Sequence, residues 1–291
     1  MLRQGRARTL QEYVRRVVLL AGHFGGVDPA LLTEAQVRAY FVFLVREKGL
    51  RPSSIRQARA AIRLFFESVV KVRWGVFDEV KTKGSLPLPV VLSRAEVARL
   101  FAAVKVPRFR MVLRLLYGCG LRIGEALALE VRDVDGVALR LHVRDGKGGK
   151  PRYVPLPKAI YLELRAHWAT HRNVRFLFPA LGSAWRANKR ASEAEQALAL
   201  AEVMRSSDHP MSVSSVQTVM RLAVAVSGIA KPACLHTLRH SYATHLLEEG
   251  VHIRALSAYL GHASLETTMV YLHLTETSEE KVQTALGRLF A

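Results

Sequence analysis

The sequence predicts a mainly α protein of two domains, with a small antiparallel sheet in the second. Three observations carry that class. Helix-start signatures of the form S/T-x-x-E/Q recur ahead of apolar residues at helical spacing: Thr9–Glu12, Thr33–Gln36 and Ser93–Glu96. A proline-bearing stretch, residues 85–92, separates a first helical region (1–84) from a second (93–291), because each proline removes a backbone donor and disfavours helix in the residue before it. Two short alternating segments flank a glycine-rich turn in the second region, which is the pattern of a hairpin.

In the first region the boxes at Thr9 and Thr33 each open a helix, and a third follows Pro52-Ser53-Ser54. There Ile55, Ile62, Phe66 and Val69 form an apolar stripe, while Arg56, Arg59 and Arg63 recur on another face. Gly49 reads as a helix stop. Beyond the linker, helices are expected over 93–104 and 108–117, then strands over 137–143 and 152–156 joined through Gly146-Lys147-Gly148-Gly149-Lys150. Further helices are expected over 158–171, 212–227, 236–249, 252–260, 264–273 and 278–290. The stretch 180–211 is polar and Ala/Glu-rich, with one helix around 192–204.

Charge narrows the function. Lys and Arg number 43 against 24 Asp and Glu, a net charge of +19. Residues 1–87 carry 16 − 7 = +9 and residues 88–291 carry 27 − 17 = +10, so the excess is spread over both regions. Arg supplies 32 of the cations, and its planar fork matches phosphate oxygens two at a time. A polyanion, and so nucleic acid, is the implied partner. No apolar run approaches the ~20 residues of a membrane span, and two cysteines make no disulfide framework. Membrane, disulfide-rich secreted and collagen-like readings are excluded, and a cytoplasmic protein is expected.

Four places hold chemistry-bearing residues. Arg122 follows a glycine-broken turn, Gly118-Cys119-Gly120-Leu121, and begins a helix in which Glu125 lies one turn on. Lys147 sits between glycines at the hairpin tip. His236 and Arg239 share a helix face in His236-Thr237-Leu238-Arg239-His240. His262 follows Gly261, and Tyr271 lies nine residues further on.

These strings resemble the tyrosine recombinase (phage integrase) family. G-L-R-I-G-E-A-L is similar to its first conserved box. D-G-K-G-G-K-P-R-Y-V-P-L is similar to its lysine-bearing hairpin. H-T-L-R-H-S-Y-A-T-H-L-L-E-E-G followed by L-G-H-A-S-L-E-T-T-M-V-Y-L-H is similar to its second box. The resemblance covers roughly residues 8–290. It implies two domains clamping double-stranded DNA: a helical SAM-like core-binding domain and a catalytic domain with a small sheet. It also implies strand exchange without cofactor, metal or ATP.

The same resemblance implies roles. Arg122 and Arg239 would hold the non-bridging oxygens of a phosphodiester. Tyr271 would attack phosphorus and leave a 3′-phosphotyrosyl link, its phenol acidified by the surrounding cations or its proton accepted by His236. Lys147 would protonate the departing 5′-oxygen, and His262 would donate to a phosphate oxygen. Glu125 and His240 are expected to support these groups structurally. Arg56, Arg59, Arg63 and Lys150 are candidate DNA contacts. The terminal helix suggests docking on a neighbouring protomer, giving a homotetramer on two duplexes from a free monomer or weak dimer.

Gly228-Ile229-Ala230-Lys231-Pro232-Ala233 resembles integron and transposon-borne integrases, which favours service to a mobile element. Alternatives are a Xer-type dimer resolvase, a type IB topoisomerase, or a DNA-binding relative without catalysis.

Overall fold

The computed structural model describes residues 4–80, 88–144, 150–182 and 192–274, together with Gly287. The chain divides into two compact units, Met1–Pro87 and Leu88–Ala291.

The first unit is helical: α1 (Gln4–His23), α2 (Glu34–Arg46), α3 (Pro52–Phe65) and the short α4 (Val76–Glu79). Thr33 caps α2 through the expected box: its Oγ1 accepts from the Gln36 amide, and the Gln36 side chain accepts from the Thr33 amide. The box at Thr9 does not form, because α1 already runs through it from Gln4. Glu12 is instead gripped by Arg15 and Arg16, each at 2.9 Å. Leu20, Val37, Phe41, Ile62, Phe66 and Phe77 make the core.

The arginines of α3 divide by duty. Arg59 donates to the backbone oxygens of Val80 at 2.8 Å and Phe77 at 3.3 Å. Arg63 bonds Glu67 at 2.8 Å and Asp78 at 2.9 Å. Both cations tie the α4 region down. Arg56 is left with no partner among the described residues.

The second unit packs α5 (Arg94–Ala103), α6 (Pro107–Cys119), α7 (Ile123–Leu127), α8 (Lys158–Ala169), α9 (Glu193–Ser206), α10 (Val213–Val226), α11 (Leu235–Glu248), α12 (Ile253–Leu260) and α13 (Glu266–Met269) beside a three-stranded antiparallel sheet, β1-β2-β3. The strands are Val134–Asp135, Arg140–Val143 and Arg152–Pro155. In register, Leu141 faces Val154 and Val143 faces Arg152. Ser93 caps α5 and Ser192 caps α9 through the same S-x-x-E box. α6 and α11 are the most buried helices, contributing Val112, Leu115, Leu116, Leu238 and Ala243 to the interior.

Two expectations need correction. The strand predicted over 137–143 begins at Arg140. Asp135 caps the amides of Val137 and Ala138 in a turn, and Val137 is 99% exposed. The helix predicted over 264–273 is only the four residues of α13, followed by a 3-10 turn over Leu272–Leu274, so Tyr271 sits in an irregular link between them. The predicted helix 278–290 apart from Gly287, the hairpin tip with Lys147, part of the linker and part of 180–211 lie outside the described residues.

Gly120 ends α6 in the left-handed conformation, φ +60°. A Cβ there would run into the ring of Tyr242. Gly120→Ala is therefore expected to destabilise the second unit by about 2–4 kcal/mol, combining the left-handed penalty with overpacking. Denaturant unfolding measures it, and a loss below ~0.5 kcal/mol would contradict the packing described.

Candidate active site

Four separate elements bring their functional side chains into one pocket of the second unit. The left-handed Gly120 turns the chain at the end of α6 and presents Arg122 as the N-cap of α7. Glu125, third residue of α7, accepts the Arg122 amide at 2.9 Å and the Arg122 guanidinium at 2.7 Å. The carboxylate thus caps the helix and holds the Arg122 side chain, which remains 24% exposed.

Arg239 projects from the middle of α11 and is 1% exposed. Its Nη1 donates to the Gly120 carbonyl at 2.6 Å, and its Nη2 donates to the Leu260 carbonyl at 2.5 Å. The nearest carboxylate contact is Glu125 Oε2, at 3.9 Å. Burial, reinforced by the nearby Arg122 charge, pulls this guanidinium down to about 10. A buried cation held by backbone carbonyls, without a close counter-ion, is a preformed demand for an anion.

His262 follows the left-handed Gly261 (φ +63°) that stops α12. Its Nε2 lies 3.2 Å from Arg239 Nη2 and its Nδ1 lies 2.8 Å from Thr268 Oγ1. A guanidinium has only protons to offer, so Nε2 is the acceptor and Nδ1 carries the proton. The predicted donation from His262 to a phosphate oxygen therefore requires a rearranged or protonated ring.

Tyr271 closes the pocket. Its ring stacks towards His262, with centroids 6.4 Å apart, and its Oη lies 2.9 Å from His240 Nδ1. The side chain is 2% exposed, and burial pushes the phenol above its ordinary value although Arg239 and Arg122 pull it down. The expectation that the surrounding cations acidify the phenol is thus reversed in this resting state: desolvation outweighs them. His236 is exposed on α11, one turn before His240, and no hydrogen bond joins it to the phenol among the described residues. His240, expected to buttress the helix, is the imidazole at the phenolic oxygen.

One member of the site escaped the sequence reading. Arg152 on β3 forms a two-pronged ion pair with Glu125, at 3.0 and 2.8 Å, and donates from Nε to the Tyr259 carbonyl at 2.8 Å. It lies flat against Gly261, where a Cβ would come within 3.0 Å of its guanidinium. The sheet is thereby fastened to both α7 and the α12–His262 turn. Its signal was present: Arg152, Val154 and Leu156 share one face of the strand, and the two apolar members are buried. An arginine on that inner face requires a carboxylate.

Arg122, Arg152 and Arg239 surround the single carboxylate of Glu125, a surplus of 3 − 1 = 2 positive charges. Burial alone would raise the Glu125 carboxyl, but hydrogen bonds from Arg152 and the Arg122 amide outweigh it and hold the group at about 2. An unfolded glutamate titrates near ~4.3. The stabilisation from ionised Glu125 is accordingly present above that value and is lost as pH falls towards about 2. Glu125→Gln should cost ~3–5 kcal/mol at pH 7, where buried cations lose their partner, and much less at pH 3. Denaturant titrations at both pH values test this, and an equal cost at both would refute it.

Lys150 is exposed at the foot of the hairpin. Cys119 is buried and Cys234 is exposed. Among the described residues no helix is long and apolar enough to cross a membrane, and none form a cluster of three or more His, Cys, Asp or Glu suited to a metal ion.

A two-domain helical chain with a catalytic-type pocket of arginines around a tyrosine defines a class, and comparison with known proteins supplies the family. Residues 90–278, more than half of the chain, match the phage integrase family, and residues 2–76 match the phage integrase N-terminal SAM-like domain. The chain belongs to the phage integrase family, the tyrosine recombinases. It is 34% identical to an integrase/recombinase of Escherichia coli over 97% of this chain and 89% of that one. It is 33% identical to the tyrosine recombinase XerA of Thermococcus kodakarensis, over 84% and 78%. Its fold matches the Tn1549 transposon integrase in complex with transposon right-end DNA, with TM-score 0.67 and 16% identity across 100% of this chain and 95% of that one.

Proposed function

We propose that this protein is a site-specific DNA recombinase that cuts and rejoins double-stranded DNA through a 3′-phosphotyrosyl link at Tyr271. The observation that carries the reading is the surplus of positive charge, Arg122, Arg152 and Arg239 around Glu125, in the same pocket as the Tyr271 phenol.

In this mechanism Arg122 and Arg239 bind the two non-bridging oxygens of the scissile phosphate. They neutralise the charge that grows there as phosphorus becomes five-coordinate. Because their guanidiniums are already fixed by Glu125, Gly120 and Leu260, little reorganisation accompanies the reaction. Tyr271 Oη attacks phosphorus, the bond to the 5′-oxygen breaks, and Lys147 protonates that oxygen. His262, released from Arg239 when the phosphate arrives, donates to a phosphate oxygen. The phosphotyrosyl ester conserves the energy of the broken bond, so a 5′-hydroxyl from another strand can reseal it without ATP.

Arg56 and Lys150, exposed or half-exposed and without partners among the described residues, are proposed as DNA-backbone contacts. Arg59 and Arg63 would reach DNA only by sharing their intramolecular partners. We further propose a cytoplasmic enzyme serving a mobile element and working as a homotetramer on two duplexes. The likeness over nearly the full chain to an integrase/recombinase supports the mobile-element reading. The likeness to XerA keeps dimer resolution as the second reading.

The test is to incubate the protein with a pool of nicked duplexes randomised across the binding site, and to look for a denaturant-resistant adduct. A tryptic peptide carrying DNA on Tyr271 is expected. Protein that forms no adduct on any duplex would sink the reading.

A further inference from the structure

A cavity of about 710 Å³ opens between α6, α8 and α9, and none of the residues that line it belongs to the arginine pocket. Close-packed interiors leave few voids larger than a water molecule, whereas sites for small ligands run to several hundred cubic ångströms. The sequence explains why the space is left. On α9, Ala197, Leu200, Ala201 and Met204 recur at helical spacing and form one wall, and Ala166 of α8 lines the same space. The three alanines leave unfilled what larger side chains would occupy.

The walls are mostly apolar, and the cations among them are unequally served. Arg114 grips Glu163 with two prongs, both at 2.6 Å, so that pair is neutral. Arg110 donates to the Val104 carbonyl at 3.4 Å. Arg108 is half-buried. Its guanidinium lies 4.6 Å from the centre of the Phe109 ring and meets no carboxylate or carbonyl among the described residues. His167 stands close enough for the Arg108 charge to disfavour its imidazolium, and its Nε2 is buried without a hydrogen-bond partner. Burial, His171 and Arg108 together hold that ring at about 4, neutral at physiological pH. A half-buried cation without a counter-ion and a buried, unsatisfied ring nitrogen both gain from one anionic oxygen pair.

We propose that this cavity binds a small apolar monocarboxylate, such as an aliphatic acid of medium length. The carboxylate pairs with Arg108 and accepts from His167 Nε2, because a neutral imidazole has one N–H and the bound oxygen places it there. The apolar body lies against Met111 of α6 and the alanine-rich wall of α8 and α9. The Arg114–Glu163 pair, already neutral, does not repel the head group. The site stands whether or not Tyr271 is a nucleophile. It is nevertheless tied to the arginine pocket, since α6 ends at Gly120, whose carbonyl holds Arg239.

Titration calorimetry of the full-length protein with hexanoate, octanoate and decanoate, each below its micelle-forming concentration, is the test. Affinity should rise ~3–4-fold for each added methylene. Arg108→Met keeps the apolar stem and removes the charge, so octanoate should weaken ~tenfold or more, while octanol changes by less than about twofold. Ala201→Phe fills the cavity and should abolish binding of both probes, with the thermal midpoint kept or raised.

An affinity that ignores chain length would mark general attraction of anions to a chain of net charge +19 and would overturn the proposal. Octanol bound as tightly as octanoate by the wild type would remove the head-group recognition, and a folded Ala201→Phe that still binds octanoate would remove the cavity; either result overturns it. Nitrogen-15 NMR of the wild-type protein asks the same question without a variant. Octanoate should shift the His167 Nε2 signal, and a signal that does not move at saturating octanoate sinks the assignment.

Discussion

Tyr271→Phe should bind DNA as wild type does and form no covalent adduct. The substitution removes one oxygen from a side chain that is 2% exposed and fills the space between His240 and His262. The ring stays, so packing against Tyr242, Leu256 and Leu260 is kept. What is lost is one hydrogen bond, leaving His240 Nδ1 unsatisfied at a cost of about 1–3 kcal/mol. Arg122 and Arg239, the proposed phosphate ligands, are untouched, because none of their hydrogen bonds runs through Oη. Affinity should therefore change by less than about threefold while the adduct disappears. A Tyr271→Phe protein that still forms an adduct would show that another side chain is the nucleophile. Tyr259, the nearest other tyrosine in sequence, would then be the first to examine.

The effect is large because the phenol begins from an unfavourable position. An ordinary phenol near pKa ~10 is ionised about once in a thousand at pH 7, a handicap of roughly 4 kcal/mol, and burial here moves it further from ionisation. The cations proposed to stabilise the transition state, Arg239 and Arg122, pull the phenol down without overcoming desolvation. If Tyr271 is the nucleophile, as proposed, its burial in neutral form also protects it from chance reaction until a phosphate arrives.

How far the sequence foretold this depends on whether the signal is local. That Glu125 stands in the helix Arg122 begins was legible from the sequence; its i, i+3 pairing with Arg122 itself came with the structure. The boxes at Thr33 and Ser93 were legible too, each satisfied within four residues. The convergence of Arg122, Arg239, His262 and Tyr271 depends on long-range packing and became legible through the family resemblance of their strings. Arg152 was quoted in that resemblance but given no role, because its partner Glu125 lies 27 residues away across the sheet. His240 shows a different limit. Its helix face was legible, but the link carrying Tyr271 is a four-residue helix and a 3-10 turn where a continuous helix was expected. A break in that segment decides which imidazole meets the phenol, and periodicity does not reveal it. The turn at Asp135-Gly136 hid the strand start in the same way, through a side-chain cap that competes with strand pairing.

Arg239→Lys should lower the strand-cleavage rate by about 10²–10³, corresponding to the ~2.7–4 kcal/mol typical of losing one transition-state donor, with DNA affinity reduced less than ~tenfold. The reason is geometric before it is electrostatic. The guanidinium uses Nη1 on the Gly120 carbonyl and Nη2 on the Leu260 carbonyl while still facing His262, and only a planar fork with several fixed donors does all three. An ammonium on a flexible stem that satisfies the two carbonyls has one proton left and no fixed direction for it. Electrostatics deepens the loss. The site pulls even an arginine down to about 10 through burial and the Arg122 charge, and a lysine, starting near ~10.4, gives up its proton far more readily there. A neutral amine at this place would stabilise no charge on the phosphate. Lowering the pH restores that proton, so the gap between wild type and Arg239→Lys should narrow from pH 8 to pH 6. Single-turnover cleavage on a nicked duplex across that range measures it. A gap that stays constant with pH would assign the whole defect to lost geometry, and a variant as fast as wild type would remove Arg239 from the transition state altogether.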